Sequence, residues 1–467
     1  MAPFRAADLL RRKPVALIEG EHPPESLHRS IGLFQLTMLG VGATIGTGIF
    51  VALTTAVPAA GPAVILSFVL AGITAALTAL CYAELASTIP VSGSSYSYAY
   101  ATLGEFVAFV VGACLLLEYA VSASAIAVGW GQYLNEMLVD LVGWKMPDVI
   151  AKAPGAGGVF NLPAVALVGA CMVLLLRGVK ESTTINAVLV VLKLLILLFF
   201  IAVAFSGFHA HNLQPFMPKG WKGVGAAAAS IFFSYIGIDA VSTAGEEVKD
   251  PRRTLPAGIV LSLLIVTAIY ILVALAAIGA QPWTAFAGQE AGLAVILRNL
   301  TGQAWTSLVL CVGAIVSIFS ITLVVMYGQT RILYAMSRDG LLPKLFQRLD
   351  PKTRTPDLNT YIVAAFIAVL AAFVPLDVLV NLTSMGTLIA FAIVSLGVII
   401  LRRTQPDLPR GYKVPLYPAL PLTSVAFCGY LIWKLPLDTW ALFAVWVAGA
   451  CVIYFGYSVR RSRLNRA

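Results

Sequence analysis

The sequence predicts an all-α membrane protein with 12 transmembrane helices. Hydrophobic residues make up 59% of its 467 residues and charged residues only 11%. A soluble domain carries about 25% charged residues. The apolar residues fall into runs of about 20, the length a helix needs to cross a hydrocarbon core of about 30 Å. Twenty-four of the 31 Lys and Arg lie on alternate connections once the N-terminus is placed inside. That asymmetry is the positive-inside pattern. It predicts an even number of spans with both termini cytoplasmic.

Residues 1–29 form a polar cytoplasmic leader with no secretory signal, because the first apolar run far exceeds a signal h-region. That run, 33–58, contains LGVGATIGTGIF at 39–50. The second run, 62–87, carries Glu84 near its inner end, where a structural acid is expected. The Ser- and Tyr-rich connection 88–104 reads as a short amphipathic or re-entrant helix. The third run, 105–137, contains Glu118, with Ser122 one turn later on the same face. A Gly- and Pro-containing outer loop, 138–160, leads to the fourth run, 161–177.

The fifth run, 182–206, holds Lys193 eleven residues beyond Ser182, near mid-bilayer at about 1.5 Å per residue. The sixth, 224–245, contains SYIGIDAVSTAGEE. The seventh, 256–279, and eighth, 303–330, precede the longest charged inner loop, 331–357. Runs nine and ten, 359–376 and 378–401, complete a ten-helix unit. A Pro- and Arg-rich linker at 402–415 separates it from runs 416–434 and 439–459. The expected organisation is a leader (1–29), a core (30–402) and a C-terminal part (403–467) with the last two helices and a short basic tail.

Sequence identity between residues 33–206 and 224–401 is not visible, but a positional echo is. Each half opens with a hydrophobic helix interrupted by Gly and small polar residues. Five spans per half make the second enter from the opposite side. Such an inverted repeat with broken helices in corresponding positions points to a midplane binding site. An unwound stretch at Gly40–Gly48 frees carbonyls on one half-helix and N–H groups on the other. The N–H end attracts a carboxylate and the carbonyl end an ammonium. An α-amino acid carries both. Small-residue helix packing uses the same spacing, and spacing alone does not choose between the two.

Ionisable groups at bilayer depth cost roughly 2.5–3.5 kcal/mol and mark function by default. Lys193 is read as a titratable ammonium that alternates between charged and neutral forms; a static partner for Glu84 or Glu118 is the alternative. Asp239, after Gly237, either steadies the second break, meets a cationic side chain, or takes a proton. Cys81, Cys114, Cys171, Cys311, Cys428 and Cys451 sit in apolar runs without CxxC spacing and read as small buried hydrophobes. His22, His28, His209 and His211 lie in the leader or loops, which argues against a metal site in the membrane. Neither a cofactor nor a metal is expected, and no Ser/His pair suggests an enzyme. The net charge of +9 follows topology, with anionic lipid contact as its further use and no nucleic acid implied.

Four stretches are similar to the amino acid–polyamine–organocation superfamily, in its cationic amino acid transporter branch. They are GVGATIGTGIF (40–50), GVKESTTINAVLVVLKLL (178–195), FFSYIGIDAVSTAGEEVKDPRRTLP (232–256) and YGQTRILYAMSRDGLLP (327–343). The resemblance runs from about 30 to 415. It implies the five-plus-five inverted-repeat fold with two extra C-terminal helices. It places a substrate carboxylate at Gly46, Thr47 and Gly48. The amino group goes to carbonyls near Thr44, Phe233 and Ile236, with Ile45 in the same break. It implies a proton-coupling role for Lys193, bridging the first helix to Ser317, Ser320 or Thr322 on the eighth. Twelve spans rather than fourteen fit a prokaryotic member.

The function expected is a proton-coupled importer of L-amino acids in the cell membrane, taking small neutral side chains. Glu118, Ser122 and Asp239 would line the side-chain pocket. The two acids either extend the range to cationic amino acids or are satisfied by protein donors. An obligate exchanger on the same fold is the alternative. A sensor ranks lower, since no long soluble domain accompanies the spans. Nothing in the sequence specifies an accessory subunit.

Overall fold

The computed structural model describes residues 11–13, 31–89, 94–178, 183–237, 240–244, 248–350 and 355–465. Their regular structure is helical apart from one isolated bridge, Ile31 to Val248. The first span is two helices, α1 (Leu33–Thr44) and α2 (Thr47–Ala60). The second is α3 (Val64–Thr88), and a short α4 (Ser94–Thr102) precedes the third, α5 (Glu105–Val142). The fourth and fifth are α6 (Leu162–Leu176) and α7 (Thr183–Ser206). The sixth comprises α8 (Gly220–Ile231), a 3-10 turn (Phe232–Tyr235) and α9 (Ala240–Thr243). The seventh is α10 (Pro251–Ala280), followed by a connecting helix, α11 (Gly292–Thr301). The last five spans are α12 (Ala304–Arg338), α13 (Asp357–Phe373), α14 (Leu376–Thr404), α15 (Ala419–Lys434) and α16 (Leu437–Ile453).

These helices follow the twelve apolar runs closely. Among the described residues, seven apolar helical stretches are long enough to cross a membrane unaided. The chain is therefore a multi-pass membrane protein. Some boundaries differ from the sequence reading, among them the start of the seventh span, at Pro251 and not 256. The third span continues to Val142, and the eighth to Arg338, so the expected loop at 331–357 begins as helix. An apolar stripe (Ile332, Leu333, Met336) keeps that last part helical and packed.

The spans pack in two groups. α10 lies along α3 and α1, and α8 along α2 and α3, which joins spans one, two, six and seven. α5 is flanked by α12 and α14, and α13 packs on α6. α7 touches α1, α10 and α12 and so bridges the groups. Lipid tails offer no hydrophobic drive between helices, so close approach relies on small residues. A Cβ on Gly258 would fall 2.7 Å from Leu36, and one on Gly72 would fall 2.9 Å from Thr267.

Described residues near the two ends of the sequence, Lys13 and Arg463, meet on one face of the protein. Lys13 Nζ donates to Asp339 Oδ1 at 3.1 Å, and the Arg463 N–H donates to the Asp339 carbonyl at 3.1 Å. An even number of spans follows directly. The Tyr96 hydroxyl donates to the other Asp339 oxygen at 2.7 Å. Glu105 accepts from Tyr100, Tyr454 and Ser462, with Arg11 3.7 Å away. Burial first, then the neighbouring carboxylates, raises the pKa of the Tyr96 and Tyr100 hydroxyls well above the usual phenol range. Both stay protonated and donate. Tyr96, Tyr100, Phe109, Met336, Leu341 and Tyr454 belong to a small second core, separate from the main one.

A second clasp ties the C-terminal linker to the bundle. Glu84, 1% exposed, accepts from Arg402 Nε at 2.7 Å and from the Val414 N–H at 2.7 Å. Arg410 Nε lies 3.5 Å from the same carboxylate. Thr78, Ser395 and Ser424 join their hydroxyls deeper in the bundle, at 2.9 Å each from the central Ser424.

Candidate functional site

The first span breaks between Ile45 and Gly46. Ile45 leaves the helix with ψ 86°, and Gly46 has φ −133° and ψ −135°, far from helical values. The end of α1 must then find donors for its last carbonyls. The Ile45 N–H takes the Val41 carbonyl at 2.8 Å, and the Gly46 N–H takes Thr44 at 2.9 Å. Lys193 Nζ reaches across from the fifth span to the Gly42 carbonyl at 3.3 Å. Lys193 is only 2% exposed. A cation beside the negative end of a helix is favourably placed.

The sixth span breaks opposite. α8 tightens into the 3-10 turn, Ile236 is extended (φ −63°, ψ 143°), and Gly237 has φ +99°. That φ suits glycine alone. A Cβ there would also collide with the Ala43 carbonyl of the first break. One on Gly48 would collide with the Ser234 backbone. The two breaks therefore touch, and these glycines permit the contact.

Tyr270 on the seventh span joins them. Its hydroxyl is 2.8 Å from the Thr44 carbonyl and 2.9 Å from the Ser234 carbonyl. Sequence reading did not single it out. A phenol in the run TAIYILVAL needs an acceptor at bilayer depth, and that signal was available. Around the break, Ile321 of α12 presses on Gly46, and Tyr133 of α5 donates to the Phe50 carbonyl at 2.9 Å.

The predicted residues fall as follows. Thr44 is buried, and its hydroxyl returns to the Gly40 carbonyl of its own helix at 2.8 Å. Ile45 and Gly46 form the break, shorter than the unwound stretch expected at Gly40–Gly48, because residues 40–44 stay in α1 and Thr47 and Gly48 begin α2; the Thr47 side chain lies outside the described residues. Phe233 is buried in the facing turn and Ile236 half-buried at its end. Asp239 lies outside the described residues. Glu118 and Ser122 are buried on α5. Glu118 faces the tenth span, where a Cβ on Gly386 would fall 3.5 Å from its own Cβ. On the eighth span, Thr322 donates to Ile318 in its own helix. Ser317 and Ser320 are also buried.

The break itself is closed, with Ile45, Ile49 and Phe50 fully buried. A cavity of about 260 Å³ lies nearby between the third, fifth and eighth spans, lined by Trp130, Leu189, Ile315, Phe319 and Ser320 among others. It includes none of the break residues.

The sequence model for amino acid permease matches residues 31–457. The chain belongs to the amino acid permease family. This permease is 45% identical to the branched-chain amino acid permease BcaP of Bacillus subtilis (strain 168), over 98% of this chain and 99% of the relative. It is 43% identical to the methylthioribose transporter of the same organism, over 98% and 100%. It is 37% identical to the vacuolar cationic amino acid transporter 4 of Arabidopsis thaliana, over 85% of the permease and 68% of that relative. The permease is a transporter and not an enzyme.

Proposed function

We propose that this permease is a proton-driven importer of L-amino acids in the cell membrane, with both termini cytoplasmic. The observation that carries the reading is the facing pair of breaks. The carbonyl end of α1 and the N–H end of α2 meet at Ile45–Gly46, against the turn of the sixth span. An ammonium and a carboxylate on neighbouring atoms match that polarity. In this reading the carboxylate meets Gly46, Thr47 and Gly48. The amino group meets carbonyls near Thr44, Phe233 and Ile236, and Glu118, Ser122 and Asp239 lie on the side-chain side. The halves 33–206 and 224–401 act as the two repeats.

Neutral side chains come first in this proposal, from alanine to the branched-chain aliphatics, with cationic ones as a wider range. Apolar Ile45, Phe233 and Ile321 beside the break favour that order, as does the relative named for branched-chain amino acids. A second cargo class, a thio-sugar, is favoured by the relative named for methylthioribose. It lacks the paired charges that the breaks complement. Competition of unlabelled alanine, isoleucine, arginine and methylthioribose against labelled alanine uptake decides between them. Saturable uptake of labelled methylthioribose with no saturable uptake of labelled alanine would overturn the amino acid reading.

Lys193 is proposed as the coupling group. Its protonated form holds the Gly42 carbonyl, and its neutral form lets the inner half of the first span move. Proteoliposomes with an imposed pH gradient test this. The Lys193→Ala protein is expected to lose gradient-driven accumulation while its competition profile stays the same. Accumulation that persists in Lys193→Ala excludes the role. Uptake that needs internal substrate and ignores pH identifies an exchanger instead.

A further inference from the structure

The Ser234 hydroxyl is buried, its residue 1% exposed, and has no hydrogen-bond partner among the described residues. Such a group is costly unless something satisfies it, and native structures keep few. Several other buried hydroxyls here return to a carbonyl of their own helix, and of the described ones Thr37 shares the lack of a partner but lies away from either break. Thr44 does so to Gly40, Ser124 to Ala120 and Thr322 to Ile318, each at 2.8 Å. Ser234 does not. Its main chain is fixed, because Tyr270 holds its carbonyl at 2.9 Å.

Its surroundings name the missing acceptor. A Cβ built on Gly48 falls 2.7 Å from Ser234 Cβ and 2.8 Å from Ser234 Oγ. Gly48 is in the first turn of the 14-residue α2, whose N-cap, Gly46, supplies no side-chain cap. An orphaned O–H donor thus stands against a turn whose own N–H donors have no side-chain acceptor. Both features call for an acceptor with more than one oxygen. A carboxylate accepts an O–H and backbone N–H groups together, in short charge-assisted bonds.

We infer that Ser234 Oγ is a direct ligand of the cargo's carboxylate, holding one oxygen while the first turn of α2 holds the other. This rests on the amino acid reading above. It makes the carboxylate a bridge between the first and sixth spans, so both breaks sense it at once.

The test uses purified protein for thermal shifts and proteoliposomes for uptake, with L-isoleucine, L-alanine and 2-methylbutylamine, which keeps the isoleucine chain without its carboxylate. Ser234→Ala is expected to raise KM for both amino acids about tenfold or more, the loss of one bond to a charged group. Its ligand-free Tm should match or exceed that of wild type, because the hydroxyl removed has no partner among the described residues. The weak thermal shift from the amine should not change. Ser234→Cys, a poorer donor of similar size, should fall between. An unchanged KM in Ser234→Ala overturns the inference, as does equal weakening of amine and amino acid. A Ser234→Ala protein that cannot fold assigns the hydroxyl to packing and also overturns it. If no L-amino acid shifts even the wild-type protein, the cargo reading fails first.

Discussion

The Tyr270 hydroxyl lies 2.8 Å from the carbonyl oxygen of Thr44, a residue 226 positions away in the chain. The Ser234 carbonyl is 2.9 Å from the same oxygen, so one phenol proton is shared between both broken spans. Tyr270→Phe keeps the ring contacts with Phe68 and Tyr235 and removes only the donor. A buried carbonyl left unsatisfied costs about 1–3 kcal/mol. The expected result is a lower Tm in detergent and uptake reduced about tenfold or more. Uptake at the wild-type rate would show that the bridge is dispensable.

The glycines at the crossing should tolerate nothing larger. Gly48→Ala drives a methyl into the Ser234 backbone, and Gly237→Ala adds a collision with the Ala43 carbonyl to an unfavourable positive φ. Both should abolish uptake. A Cβ at Gly429 or Gly449 meets nothing within 4 Å. Alanine at either should leave uptake and yield within a factor of two, and a helix-propensity gain of about 1 kcal/mol can even raise Tm. Equal behaviour of the two sets in a cell uptake assay would contradict the close crossing.

Glu84→Gln should destabilise the linker clasp. Removing one partner of a buried ion pair leaves the other charge uncompensated, at about 3–5 kcal/mol. Arg402 keeps some solvent contact, with its side chain 17% exposed, so the lower end of that range is expected. Melting of the purified protein measures it. Uptake per folded molecule should change less than Tm, because the clasp binds the linker and not the breaks.

Lys193→Met removes the ammonium and keeps most of the chain length. Counterflow exchange, which needs no net proton movement, should persist while gradient-driven accumulation is lost. Loss of both would assign Lys193 to the fold of the first span and not to coupling.

The spans were legible because lipid imposes a simple rule: about 20 apolar residues, with every backbone group satisfied internally. The breaks were legible because glycine and small polar residues stand out within such runs. The donors at the breaks were only partly so. Lys193 announces itself by its charge, whereas Tyr270 resembles the aromatic residues of any membrane helix. The partner of Glu84 could not be read, since Arg402 lies 318 positions later, and the sequence does not fix which helices adjoin. The α11 helix was missed for another reason. Its apolar face, Leu293, Ala294, Ile296 and Leu297, is too short to signal a span.

The knot around Asp339 and Glu105 bears on how the molecule is made. Residues 11–13 are synthesised well before most of their seat, which is assembled from residues 100, 105, 339 and 462. That stretch must therefore wait, without its full seat, until residues 339 and 462 have been synthesised and inserted. Maturation closes by joining an early-made stretch to one made about 450 residues later.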